Sequence, residues 1–586
     1  MPLHARFDSL GLADPDWTVR LARPVRTLEA WRPDEVAPAL AELESAAVQG
    51  RWVALMLAYE AAPALDPDLA AHAPEDFPLL WAAVFDGPQP TAKTPLPLQA
   101  PAPPPAPDWR PLVSRPQYLR SLELIRERIR LGETYQVNYT LPFECAAPAD
   151  PAAWYESLLP AQQAGFAAFL DMGRHQVLSF SPELFFQRRG GLLRTRPMKG
   201  TMPRGRWTTE DDERAEGLSR CPKNRAENVM IVDLLRNDLG KLAVPGGVRV
   251  PALFEVERYP TVLQMTSTVE ADLRPEAGLV DIMRAIFPCG SVTGAPKIRT
   301  MEIIHELEPF PRRAYCGAVG LLKPGGEAVC NVPIRTIVAD KDSGRARFSV
   351  GGGITWASNA ADEWEECRTK MAFLHRRAED FELLESLLLQ GGQYVLLQAH
   401  LERMAASARY FGFALPELEL RRALEAVRTQ HPAGRFKVRL LAGRDGSVRA
   451  EAAAIGDDSP GPVRLGVAPA PVDSNDVFLF HKTTRRGVYD QAQASRPDCD
   501  DALLVNERGE VAEACLANLV AAVEGELLTP SRGCGLLDGT FRRALLDMGL
   551  LREAVLRLED LRRADALWVV NSVRGLRRAE LVVKPS

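Results

Sequence analysis

GGGITWASNAADEWEECRTK, residues 351–370, carries the reading of the first half of the chain. Three successive glycines have no Cβ, so their N–H groups can approach a ligand closely. In a helix, Glu363 and Glu366 are three residues apart and share one face. Alone, these features describe a tight turn and a solvated acidic face. Further segments lead outward from them: KNRAENVMIVDLLRNDLGKL (223–242), SFSPELFF (179–186) with RPMKGT (196–201) behind it, and GETYQVNYT (132–140). FPCGSVTGAPK (287–297) and NVPIRT (331–336) lie between them.

The chain has 586 residues, with 71 Lys+Arg against 77 Asp+Glu and a formal charge of −6. At about 150 residues per domain this suggests roughly four structural units. With 46% hydrophobic and 25% charged residues, the composition is that of a globular protein. No apolar run approaches the ~18 residues of a membrane helix. The start, MPLHARFDSLG, has no charged head followed by an apolar stretch, so it predicts no export. No basic stripe points to nucleic acid. Nine cysteines without a CxxC pair suggest reduced thiols in the cytoplasm. There are 60 arginines and only 11 lysines. Arginine cannot replace a lysine that must act as a neutral amine, so each lysine is of interest.

Residues 87–108 hold nine prolines and read as an extended connector. The pattern predicts a strand at Trp52–Tyr59 and a helix opened by Ser114, with Tyr118, Leu122, Ile125 and Ile129 on one face and Gly132 as its stop. Strands are expected at Gly165–Leu170, Gln176–Phe180, Leu192–Arg196, Ala314–Leu322, Ala328–Val338 and Ala346–Val350. Helices are expected across Asn224–Leu235 and after Pro296, the latter with Ile298, Met301 and Ile304 or His305 on one face. Near residue 376 the pattern restarts, giving a division into 1–376 and 377–586. A hairpin follows, Phe381–Leu389 with Tyr394–Leu397 around Gly391-Gly392, then a helix from about His400 to Phe411 closed by Gly412.

The motifs of the first half resemble the chorismate-utilising enzymes, from about Ser114 to Lys370 and more loosely over residues 1–86. The resemblance implies a large α/β fold in which antiparallel sheets are sandwiched with helices, together with a chorismate pocket and Mg2+. It assigns the metal to Glu227 and Glu366, with Glu363 in support. These are hard oxygen donors that suit the ion. Arg335, the backbone of Gly351, Gly352 and Gly353, and Tyr315 would bind a carboxylate. Glu183 would be the general acid for the leaving 4-hydroxyl and must be protonated near neutral pH. Lys199 occupies the position that separates aminodeoxychorismate synthases from anthranilate and isochorismate synthases. It would attack C2 of chorismate, for which its pKa must fall from ~10.4 toward ~7–8. Gln136 stands where isochorismate-forming members carry a lysine base, and a glutamine cannot activate water. Gln264 replaces a histidine common in relatives. No cysteine lies in a glutaminase setting, so ammonia would come from a separate glutamine amidotransferase subunit.

Residues 381–586 resemble fold-type IV pyridoxal-phosphate enzymes. The matching pieces are LLQAHLERMAASARYFGF (396–413), FHKTTRRGVYDQA (480–492), NERGEVAEACLANLV (506–520) and LLTPSRGCGLLDGTFRRALL (527–546). The resemblance makes Lys482 the cofactor-linked amine and proton shuttle. Glu513 would partner the pyridine nitrogen and Arg403 the phosphate, with the N–H groups of Gly539, Thr540 and Phe541 completing the phosphate cup. Arg485 departs from an asparagine common in related lyases. Proteins of this fold usually dimerise, which implies a homodimer through the C-terminal half.

Together the halves imply conversion of chorismate and ammonia to 4-amino-4-deoxychorismate, then pyruvate elimination to 4-aminobenzoate for folate synthesis. Two alternatives are an anthranilate synthase fused to an aminotransferase, and a catalytically silent second half that acts as a binding module.

Overall fold

The computed structural model describes residues 4–10, 17–89, 107–375, 380–456 and 461–582. Most of the proline-rich connector 87–108 lies outside them, as does the expected boundary at 376/377. The chain forms two compact units: Met1–Arg204 with Arg214–Ala378, and Gly205–Glu213 with Glu379–Ser586. The second unit thus includes nine residues that the sequence division places in the first half. Within it, the Trp207 ring lies 5.1 Å from Phe480, and the Tyr410 hydroxyl donates to the Gly205 carbonyl at 2.7 Å.

The first unit contains a nine-stranded and a ten-stranded sheet with antiparallel neighbours. In the nine-stranded sheet, Gln136–Ala146 pairs with Arg345–Ile354 and so aligns Gly353 with Asn138. In the ten-stranded sheet, Met198–Pro203 and Leu192–Arg196 flank Val262–Leu273. An apolar layer holding Phe7, Trp17, Met56, Trp81, Val177 and Val319 draws on strands of both sheets. Helices cover the other faces. This is the expected sandwich of antiparallel sheets and helices.

The helix Arg115–Arg130 shows how local sequence and packing agree. Gln117 Oε1 accepts the Ser114 N–H at 3.0 Å, closing the first turn. Tyr118, Leu122 and Ile125 are buried, each contributing about 1.5–3 kcal/mol of apolar transfer. Gly132, at φ +76°, turns the chain out of the helix.

In the first unit, three sequence expectations need correction. Ala328–Val338 is two strands: Glu327–Asn331 belongs to the ten-stranded sheet and Thr336–Asp340 to the nine-stranded one. Pro333 has no N–H for a ladder, and Arg335 sits at φ +52°, so the chain crosses between sheets there. The strand expected from Ala314 starts at Ala318, because positive φ at Arg313 and Cys316 makes a turn. In the helix Lys297–Leu307, Thr300, Met301, Ile303 and Ile304 are buried while Ile298 is 44% exposed, so Ile298 leaves the assigned face.

The second unit holds a four-stranded sheet and a mixed eight-stranded sheet. Val463–Val467 runs parallel to both Asp501–Val505 and Gly575–Val582. The expected second hairpin strand shrinks to Gln393–Tyr394: Leu396 takes φ +53°, and the following helix begins at Leu397, earlier than expected. Gly412, at φ +68°, ends that helix as expected.

Candidate active sites

In the first unit, Lys199 lies on the strand Met198–Pro203, where the register against Val262–Leu273 shifts. A Cβ on Gly353 would come within 2.1 Å of Gln136 Nε2 and 3.2 Å of Lys199 Nζ. The strand Arg345–Ile354 can approach the amine and the amide only because this position is glycine. A Cβ on Gly351 would lie 3.2 Å from the Tyr315 hydroxyl, and one on Gly352 would lie 2.8 Å from Glu363 Oε2. The three glycines therefore form a wall between Tyr315, Glu363, Gln136 and Lys199.

Glu183 is buried between the strands His175–Ser181 and Leu184–Arg189. Its Oε1 accepts the Ser291 hydroxyl at 2.6 Å and the Met198 N–H at 3.4 Å. Burial lifts its carboxyl to about 7, although Ser291 and Lys199 pull the other way. Burial likewise lowers the Lys199 amine, against the attraction of Glu183 and Glu227. Arg335 is held through its backbone, its carbonyl accepting the Phe180 N–H at 3.1 Å. Nη1 of Arg335, Oε1 of Gln136 and Nδ2 of Asn138 are buried without a hydrogen-bond partner. Such groups are rare in folded proteins, and a polar ligand would satisfy them.

Glu227 lies on the helix Pro222–Gly240, and Glu363 and Glu366 on Ala360–Met371. Burial raises both Glu227 and Glu363, against the pull of Lys199 on the first and of the Ser358 hydroxyl on the second, and the charge of Glu366 adds to the rise in each. Lys370 lowers Glu366 instead, contacting its Oε1 at 2.6 Å while also donating to the Gly351 carbonyl at 2.8 Å. Mutually repelling oxygen donors fit a divalent ion such as Mg2+, which would relieve that repulsion. A tighter group of metal-type ligands among the described residues is Asp76, His175 and Asp340, with donor atoms within 4.8 Å of one another. Its carboxylates already pair with Arg174 and Arg313.

In the second unit, burial and then Arg403 lower the Lys482 amine to about 8, against the opposing pull of Glu385. Glu513 is buried. Its Oε1 accepts the Tyr489 hydroxyl at 2.8 Å and the Leu537 N–H at 3.0 Å, and its Oε2 accepts the Asn518 amide at 3.0 Å. Burial pushes this carboxyl to about 7. Arg403 donates twice to Glu385, at 2.9 and 2.6 Å, and once to the Asp538 carbonyl at 3.0 Å. Gly539 caps the helix Thr540–Asp547, and a Cβ there would lie 2.0 Å from Asn518 Oδ1. A helix start of this kind, with an arginine and the lowered Lys482 amine, suits a phosphorylated aldehyde cofactor. The Arg485 guanidinium stacks 4.1 Å over the Phe478 ring.

Several functional neighbours escaped the sequence reading. Ser291 and Lys370 stand inside quoted motifs without an assigned role, and the scarcity of lysine was a usable signal for Lys370. Glu385 and His400 interrupt otherwise apolar surroundings, but only the fold shows what they face. Gln264 ties down the Lys199 strand: its amide donates to the Gly200 carbonyl and accepts the Thr201 hydroxyl, both at 3.1 Å.

Each unit thus combines a half-buried lysine whose amine is lowered by its surroundings with a buried carboxyl shifted toward neutrality and donors suited to an anion, the signature of an enzyme. Residues 7–376 match the family model described as chorismate binding enzyme, and residues 382–582 match amino-transferase class IV. The first match spans more than half of the chain, which belongs to the chorismate-binding enzyme family. An aminodeoxychorismate synthase component 1 of Salmonella typhimurium is 42% identical over 263 residues, covering 45% of this chain and 58% of that protein. An anthranilate synthase component 1 of Haloarcula marismortui is 37% identical over 257 residues, covering 44% and 52%. The chain thus spans little more than half the length of these relatives. The crystal structure of anthranilate synthase component I from Streptococcus pneumoniae matches with a TM-score of 0.54 and 24% identity, over 64% of this chain and 93% of that one, which supports the fold.

Proposed function

We propose that the first unit converts chorismate and ammonia to 4-amino-4-deoxychorismate and that the second eliminates pyruvate from it to give 4-aminobenzoate, for folate synthesis in the cytoplasm. The single observation that carries the reading is Lys199, a half-buried lysine whose lowered amine stands beside the raised carboxyl of Glu183 and against the glycine wall. The neutral Lys199 amine adds to C2 of the ring, both ring double bonds shift by way of C1, C6 and C5 toward C4, and the 4-hydroxyl leaves as water with the proton from Glu183. Ammonia then bonds to C4, the bond to Lys199 breaks as both double bonds shift back, and a proton goes back to Glu183. Arg335, Tyr315, Gln136 and the N–H groups of Gly351–Gly353 orient the dianion. Glu227, Glu366 and Glu363 would hold Mg2+, which would neutralise the ring carboxylate. Ammonia would come from a separate glutamine amidotransferase subunit, in keeping with relatives named component 1.

Pyridoxal phosphate, when bound in the second unit, supplies an electron sink for the pair left as the substrate carbon loses its proton. Lys482 would anchor it, and the Lys482 amine would take the proton from C4 of the substrate. Glu513 would hold a proton toward the ring nitrogen. Arg403 and the N–H groups of Gly539, Thr540 and Phe541 would hold the phosphate. We further propose a homodimer through this unit.

The test is peptide mass mapping after incubation with chorismate and Mg2+ without ammonia. An adduct on Lys199, discharged by ammonium, supports the reading. Turnover with ammonium in a Lys199→Ala variant at the wild-type rate would refute it.

A further inference from the structure

The phosphate side of the second unit contains a buried polar chain that the proposed chemistry does not use. Glu385 lies in the strand Leu383–Gln390 and is 1% exposed. One carboxylate oxygen accepts Arg403 Nε at 2.9 Å. The other accepts Arg403 Nη2 at 2.6 Å and meets His400 Nδ1, also at 2.6 Å. His400 is fully buried, and its Nε2 meets the Thr540 hydroxyl at 3.2 Å. Arg403 reaches on to the Asp538 carbonyl at 3.0 Å. One carboxylate therefore grips the arginine and, through an imidazole, the first residue of the helix Thr540–Asp547.

We propose that Glu385 and His400 are positioning residues that lock the two walls of the phosphate site, Arg403 and Thr540, into one geometry. This rests on the reading of the second unit as a pyridoxal phosphate site. An arginine on its flexible three-carbon stem loses much rotamer freedom on binding a phosphate, and the bidentate Glu385 contact removes that cost beforehand. The Glu385 contact uses Nε and one proton of Nη2, and the Asp538 carbonyl takes one proton of Nη1, so one proton on each Nη is left for an anion. Burial alone would raise the Glu385 carboxyl, yet Arg403 and His400 hold it down at about 2, so it is an anion at neutral pH. With Glu385 ionised, Nδ1 of His400 carries the proton between them. Nε2 is then turned toward Thr540 and fixes its hydroxyl.

The discriminating feature is the phosphate itself. A relay that orders only the phosphate walls should matter for pyridoxal 5′-phosphate and not for pyridoxal, which lacks the group. The experiment measures the affinity of cofactor-free full-length protein for both compounds by fluorescence titration. It uses wild type, Glu385→Gln, His400→Asn (which keeps a donor near the Nδ1 position) and His400→Gln (which keeps an acceptor near Nε2). Glu385→Gln is expected to weaken pyridoxal phosphate about tenfold or more, the scale of one charge-assisted hydrogen bond, with pyridoxal affected less than about twofold. The two His400 variants should fall between Glu385→Gln and wild type. Equal losses for the two ligands, or unchanged affinity for pyridoxal phosphate in Glu385→Gln, would overturn the relay. Should Glu385→Gln fail to fold, the same criteria apply to the His400 pair. Wild-type protein binding neither compound would instead refute the cofactor reading on which the relay rests.

Discussion

The two units hold a lysine with a lowered amine in opposite electrostatic company. Both amines are lowered chiefly by burial. Lys199 then faces Glu183 and Glu227, which favour its charged form, whereas Lys482 is helped downward by Arg403 and Arg486 and opposed by Glu385. The paired carboxyls behave alike: Glu183 and Glu513 are each pushed to about 7 by burial. The contrast follows from the proposed ligands. A site that must gather a divalent cation as well as an anion carries carboxylates around its amine. A site for a phosphate carries guanidinium groups around its own.

The sharpest way to break this comparison is to remove each amine. Lys199→Ala should lower formation of 4-amino-4-deoxychorismate by about 10³-fold or more while leaving its conversion to 4-aminobenzoate intact, and Lys482→Ala should do the reverse. Separate assays supplied with each substrate check this, and a shared loss would end the two-site account. Chelation comes next. EDTA should stop the first reaction and leave the second within about twofold, with recovery on adding Mg2+.

Glu183→Gln should cost the first reaction about 10²–10⁴-fold, since an amide cannot deliver the proton to the leaving hydroxyl. The pH dependences should diverge as well. The first reaction needs protonated Glu183, so its rate should fall as pH rises through about 7. Capture of pyridoxal phosphate by the cofactor-free protein needs neutral Lys482, so its rate should rise through about 8. Stopped-flow absorbance and a product assay over one pH series measure both slopes. The smallest effect is expected at Gln264. Gln264→His loses the pair of contacts to Gly200 and Thr201, and should slow the first reaction less than about tenfold without creating a new product.

Much of this was legible in the sequence, because glycine, proline and apolar spacing report on local geometry. The helix after Ser114 and the glycine wall at 351–353 are of that kind. The single strand expected over Ala328–Val338 failed because the apolar run continues through Pro333 and Arg335, while the backbone there crosses from one sheet to another. Ile298 failed because helical spacing names a face but not which edge of it is covered. Ser291 on Glu183 is separated from its partner by 108 residues and His400 from Thr540 by 140, so only sheet and helix placement brings them together. Lys370 was within reach, since it is one of 11 lysines and lies in a quoted motif. No helix among the described residues is long and apolar enough to cross a membrane.

The most direct measurement is product analysis of the Lys482→Ala variant given chorismate, ammonium and Mg2+. 4-Amino-4-deoxychorismate should accumulate, and wild-type protein loaded with pyridoxal phosphate should turn it into 4-aminobenzoate and pyruvate. Anthranilate as the main product would contradict the proposed function.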